Sequence, residues 1–126
     1  MSGSSLLGIV HVAITVADVE TTWRFYDKVF GTEVINEYAV EGRPLVRVFL
    51  LGGGARLSVH QFGNGVDLVA DKPTPGSADI CFRWGGSVAD AVAHLGKHGL
   101  AIVDGPSPRR TQDGLPAHSV YFKDPD

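Results

Sequence analysis

The chain has 126 residues, 44% apolar and 20% charged, with a net charge of −3 at pH 7. That size fits one compact domain or two very small ones, and the balance supports a buried core rather than disorder. No basic run argues for nucleic acid as a partner, and no stretch approaches the ~18 apolar residues of a membrane span.

Cys81 is the only cysteine. It excludes an intrachain disulfide and a cysteine-rich zinc site, and it fits a reducing, cytoplasmic setting. The start of the chain lacks the charged and apolar regions of a secretory leader. Residues 1–7 read as a flexible tail, and residues 8–126 as a single domain.

Gly8 to Val16 reads as a strand rich in Ile and Val. Asp18 is a good N-cap for a helix in which Val19, Trp23, Tyr26 and Phe30 recur at helical spacing, and Gly31 is placed to stop it. Thr32 to Tyr38 reads as a second strand, Leu45 to Leu51 as a third and Ala55 to Phe62 as a fourth. Turns fall at Glu41–Pro44 and at Gly52–Gly54. The first half is therefore β-α-β-β-β.

Gly63 to Gly76, with Pro73 and Pro75, reads as the joint between halves. Ala78 to Trp84 follows as a strand. Ser87 caps a helix lined by Val88, Ala91, Val92 and Leu95, which Gly99 stops. Leu100 to Val103 reads as a short strand, Gly105 to Pro116 as a long loop carrying Arg109 and Arg110, and Ala117 to Lys123 as a strand. The second half is β-α-β-β, one strand short. His11 stands to the helix-stopping Gly31 as Asp79 stands to Gly99, twenty residues in each case. The halves thus look like a duplication of pattern, with modules at 8–62 and 78–126.

Strand alternation separates two faces. Val10, Val12, Ile14 and Val16 should pack on the helix, with His11, Ala13 and Thr15 on the other side. In the fourth strand, Ser58, His60 and Phe62 form the more polar set. In the fifth, Asp79, Cys81 and Arg83 face away from the helix. If the sheet curls around a cavity, His11, His60 and Asp79 can converge there. Two imidazoles and a carboxylate suit Zn, Fe, Mn, Ni or Co as divalent ions. Each residue also has a plain structural reading: a packed strand histidine, or a carboxylate that caps a strand or pairs with an arginine. His94 and His98 have the i, i+4 spacing of a metal pair, but Ala91 and Leu95 mark the buried face, so they read as solvated. Cys81 reads as a small buried side chain, and His118 as directed at the helix layer.

The run His11-Val-Ala-Ile-Thr-Val-Ala-Asp-Val, then Trp23-Arg-Phe-Tyr-Asp-Lys-Val-Phe-Gly31, resembles the opening of vicinal oxygen chelate proteins. These are the glyoxalase, bleomycin-resistance and extradiol-dioxygenase relatives. Ser119-Val-Tyr-Phe-Lys-Asp-Pro-Asp126 resembles their late signature. Leu57-Ser-Val-His60-Gln, Pro73-Thr-Pro-Gly-Ser-Ala-Asp79-Ile-Cys-Phe and Gly105-Pro-Ser-Pro-Arg109 resemble the branch containing glyoxalase domain-containing protein 5 and related bacterial virulence-associated proteins.

The resemblance implies an α+β fold. Two tandem βαβββ modules would form a curved mixed sheet around a central cavity, the second lacking its last strand in this chain. It implies a divalent metal held by His11 and His60, with Asp79 where many members have His. A closing Glu is expected a few residues past Asp126, if the native chain continues. The implied chemistry is that of a lyase, isomerase or dioxygenase acting on a small substrate with adjacent oxygens. Tyr121 is then the candidate catalytic residue, and Arg109 and Ser119 are candidates for substrate binding. A homodimer is also implied. The alternative is a metal-free small-molecule binder of the bleomycin-resistance type, against which the His11 and His60 pair argues.

Overall fold

A computed structural model of the chain describes residue 5 and residues 9–66, 70–110 and 114–126. Most of the expected tail, Gly8 of the first strand, residues 67–69 of the expected joint and residues 111–113 of the expected long loop lie outside the described residues. The chain divides into two compact units, Met1–Ala78 with Asp126, and Asp79–Pro125. The architecture is α+β with a mixed sheet and two α-helices among the described residues.

The first unit contains β1 (His11–Val16), α1 (Val19–Phe30), β2 (Glu33–Val40), β3 (Arg43–Leu50) and β4 (Arg56–Gln61). A single 3₁₀ turn at Gly52–Gly54 joins β3 to β4. The sheet order is β1-β4-β3-β2. β1 runs parallel to β4, while β4 with β3 and β3 with β2 are antiparallel. The parallel pair closes the unit: the strand before the helix is held by the last strand after it.

α1 begins where the sequence places its cap. The Asp18 carboxylate accepts from the backbone N–H of Thr21 at 3.2 Å and from its hydroxyl at 2.6 Å. The Thr21 hydroxyl, followed by backbone N–H groups, holds the Asp18 carboxyl below the usual carboxylate range. The Val19 N–H, a first-turn donor, finds a partner in Gln61 Oε1 at 2.9 Å, and just before the cap the Ala17 N–H donates to Asp126 Oδ1 at 3.0 Å. Gly31 ends the helix at φ 64°, a left-handed conformation that glycine adopts without a Cβ penalty. Asp18→Ala is expected to lower stability by about 1 kcal/mol, read as a lower Tm. The difference should shrink in acid, because the depressed carboxyl contributes above its unfolded value and loses that contribution as pH falls through the folded one.

α1 packs on β3 and β4, the central strands. Val19, Tyr26, Val29, Phe49, Leu57 and Val59 form the buried core there with Ile14 and Val16. The expected helix-facing set of the first strand is corrected in part: Val12 is 45% and Val10 69% exposed. β1 is an edge strand, and the helix covers only its C-terminal half.

The second unit contains α2 (Val88–Lys97), β5 (Asp104–Arg110) and β6 (Pro116–Tyr121). α2 starts with a full capping box between Ser87 and Asp90 and buries Leu95. β5 and β6 pair antiparallel, and the Val103 N–H extends the ladder to the Tyr121 carbonyl at 2.7 Å.

Two sequence expectations are corrected in this unit. The segment expected as a strand at Ala78 to Trp84 forms no ladder. In the first unit the equivalent strand is held by β4, and the second unit has no such strand among its described residues. The expected short strand at Leu100–Val103 lies instead at Asp104–Arg110, within the segment read as a loop. Its prolines are tolerated in a two-stranded pair, where one edge needs no donors. Cys81 and His118, expected to be buried or turned inward, are both exposed.

Candidate functional site

The ladder register fixes which side chains share the sheet face opposite α1. His60 pairs with Thr15 on one side and Val46 on the other, and Val46 pairs with Tyr38. The next row is Ala13, Ser58, Val48 and Asn36. The row beyond begins with His11 and Arg56. His11 and His60 thus lie on one face of adjacent strands, offset by four residues, or about 13 Å along the strand direction.

Ser58 lies between them and is only 5% exposed. Its hydroxyl sits 3.3 Å from His60 Nε2, so the imidazole leans back along β4 towards the His11 end. His60 Nδ1 is buried without a hydrogen-bond partner. Burial, followed by the neighbouring His11, pushes the His60 imidazolium below the ordinary histidine range. The ring is therefore neutral at neutral pH. An orphaned buried N–H is the rarer arrangement, so the Nε2 proton faces Ser58 and Nδ1 carries the bare lone pair. The alternation of the fourth strand put Ser58 on the polar side of His60. The contact itself depends on rotamers and was missed, as was the Tyr38 position in the His60 row.

Beside His60 is a small cavity of about 110 Å³. Thr15, His60, Gln61, Asn64, Val66 and Pro73 line it with Gly63 and Gly65. Two of its amides are already committed. Gln61 caps α1, and Asn64 donates to the Leu45 carbonyl at 3.2 Å and accepts from the Val66 N–H at 2.9 Å. The polar groups left to meet a ligand are Thr15 and His60. A cavity this size holds a few waters or the head of a small molecule.

In the second unit, Arg109 and Tyr121 are brought together. The Arg109 Nε donates to the Tyr121 hydroxyl at 3.2 Å, and its guanidinium lies 5.6 Å from the ring centroid. Ser119 pairs with Ser107 and shares this face of the hairpin. Asp79 is exposed and lies on no strand. Among the described residues, no three His, Cys, Asp or Glu side chains group as a metal site. Of the expected set, His11 and His60 belong to the first unit and Asp79 to the second.

Of the two imidazoles of the first unit, His60 by itself has the form of a metal ligand, while His11 stands four residues away in register and does not meet it. His60 offers a neutral ring with an unengaged nitrogen, the form in which histidine ligates, and Ser58 fixes its orientation as second-sphere partners do.

The model of the Glyoxalase/Bleomycin resistance protein/Dioxygenase superfamily matches residues 8–126. Virulence protein STM3117 of Salmonella typhimurium is 35% identical over 118 residues, covering 94% of this chain and 77% of that protein. Its crystal structure matches with a TM-score of 0.82 over 98% of this chain and 92% of that one. Glyoxalase domain-containing protein RDO1 of Mycosarcoma maydis is 35% identical over 122 residues, which is 97% of this chain and 65% of that protein, so the chain spans under two thirds of it. An integron cassette protein from the mobile metagenome of V. cholerae matches with a TM-score of 0.83 at 32% identity, covering 98% and 91% of the two chains. At 20% identity the fold alone is shared with the fosfomycin resistance protein FosX of Listeria monocytogenes, solved with Mn(II), and with the antibiotic-binding protein TnmS3 of Streptomyces. The chain belongs to the glyoxalase/bleomycin resistance protein/dioxygenase superfamily.

Proposed function

We propose that this protein is a divalent-metal-dependent enzyme acting on a small substrate with adjacent oxygen atoms, through lyase, isomerase or dioxygenase chemistry. The observation that carries the reading is the neutral, half-buried imidazole of His60 with its unpartnered Nδ1 beside a cavity. Membership in a superfamily whose relatives include a manganese-bound resistance protein supports it.

His60, as it stands, would hold the metal from this unit, and His11 would join it once its ring spans the four-residue offset along the strands. When bound, the ion supplies Lewis-acid stabilisation of negative charge on a substrate oxygen, or, as iron, access to dioxygen. The chain's own groups do the rest. Ser58 holds the His60 ring in one orientation. Burial keeps that ring unprotonated, so no proton competes for its lone pair. Thr15 and the small cavity admit a compact polar group next to it. Arg56, in the His11 row, brings positive charge to the same face and favours an anionic substrate. The pairing of Arg109 with Tyr121 supports a substrate-orienting role for that hairpin face, with Ser119 beside them.

Elemental analysis of the purified protein after reconstitution with Zn, Mn, Fe, Ni and Co tests this reading. About one equivalent of one metal is expected, with His60→Ala and His11→Ala each weakening retention by at least ~10-fold. Protein that holds under roughly 0.1 equivalent of every metal, yet still binds small anionic ligands, overturns it in favour of the metal-free binder.

A further inference from the structure

α2 carries a second pair of imidazoles, in the Asp79–Pro125 unit, that plays no part in the reading of His60. His94 lies in the last turn and His98 is the C-cap residue. At 100° per residue the two fall on one flank of the helix, next to Ala91 and Leu95. Both are half-buried, not solvated as the sequence suggests. Their ring centroids are 4.8 Å apart with planes inclined at 58°. The Trp84 indole lies against His94, 5.0 Å between centroids.

The local chain is built to keep this cluster. Gly86 separates Trp84 from the helix, and a Cβ there would lie 3.1 Å from both Trp84 Nε1 and Asp90 Oδ2. Asp90 is held by the capping box, accepting from the Ser87 N–H at 3.4 Å, so the helix start is fixed. The indole is thereby folded back along α2 onto His94.

Two imidazoles sharing one ion through nitrogens at ~2.0–2.1 Å have ring centroids about 3.2 Å from it. They are then about 4.5–5.2 Å apart for angles between square and tetrahedral. The observed 4.8 Å falls inside that window. The i, i+4 spacing is the one by which helices present two histidines to a metal. The C-terminal turn of a helix also favours positive charge. We propose that His94 and His98 form a two-nitrogen site for a late first-row divalent cation. Cu²⁺ is bound most tightly, with Ni²⁺ and Zn²⁺ weaker, and water completes the coordination.

The indole on His94 is the reporter. In a Trp23→Phe background Trp84 is the remaining tryptophan, and CuCl₂ titration of the full chain should quench its emission saturably with about one equivalent. His94→Gln and His98→Gln should each raise the half-saturation concentration at least ~10-fold, since each removes one of two ligands. Lys97→Gln, one residue from the pair, should leave it unchanged. With both histidines of the pair in place, substoichiometric Cu²⁺ should broaden the imidazole NMR signals of His94 and His98 selectively. This holds even if a glutamine variant folds poorly. The proposal is overturned if quenching fails to saturate below about 1 mM, if His98→Gln keeps the parent midpoint, or if those two signals persist while quenching completes. Both readouts are taken in a His60→Ala background, which removes the imidazole proposed for the first unit's metal, so the failure of one site leaves the other standing.

Discussion

Phe49→Ala is expected to destabilise the protein by about 3–5 kcal/mol, the cost of emptying an aromatic site in a core that cannot collapse. Phe49 is fully buried. It lies opposite Val34 on β2 and Leu57 on β4, and its ring packs 6.0 Å from that of Tyr26 on α1. It therefore joins helix to sheet at the centre of the first unit. The loss of an aromatic pair adds to the loss of buried area. Denaturant unfolding at 25 °C measures it, with Val12→Ala as the contrast: Val12 belongs to an edge strand and is 45% exposed, so its truncation should cost well under 1 kcal/mol. A Phe49→Ala loss below about 1.5 kcal/mol would mean that α1 does not rest on this ring. His60 and Thr15 lie on the opposite face of the same sheet, so this core also sets their spacing.

What the sequence made legible follows from which interactions are local. α1 was readable because its cap Asp18, its apolar spacing and its stopping Gly31 all lie in one short local stretch of chain. Its centre was not. The buried residues are Val19, Thr22, Tyr26 and Val29, while Trp23 sits on the flank over the Arg47 guanidinium at 5.0 Å. A stripe this wide cannot be split into centre and flank without knowing the partner surface. The alternation at Ile80, Phe82 and Trp84 looked like a strand, but alternation supplies no hydrogen-bond partner. The prolines of Asp104–Arg110 argued for a loop because proline is excluded from central strands, and that exclusion does not reach an edge. At the candidate site the polar face of β1 and β4 was readable from period two. The four-residue offset of His11 and His60 was not, since register is a property of two strands. The neutrality of His60 was not either, since it arises from burial and from a neighbour far away in sequence.

Gly105→Ala is expected to be nearly as damaging, about 2–6 kcal/mol, and its effect should stay within the second unit. Gly105 adopts φ 90°, where a side chain is strained by roughly 1–3 kcal/mol. A Cβ at this position would collide with the Ser119 carbonyl oxygen and lie 3.1 Å from the Ser107 nitrogen and 3.2 Å from the Val120 Cα. These are backbone atoms of the paired strands, so nothing can swing aside, and overpacking adds about 1–3 kcal/mol more. The glycine sits where the β5–β6 register shifts between Asp104 and Ser107. On one side of the shift Val103 donates to Tyr121, and on the other Ser107 pairs with Ser119. Alanine would force the strands apart there and loosen the hairpin that sets Arg109 against Tyr121. Amide exchange separates this from a global effect: protection should fall at Val103 and along β6 while that of Phe49 and Val59 holds. Ser107→Ala, which leaves the backbone approach intact, should change little. If Gly105→Ala leaves exchange on β6 untouched, the register shift does not need the glycine, and the close approach of the two strands is not what holds the Arg109–Tyr121 pair.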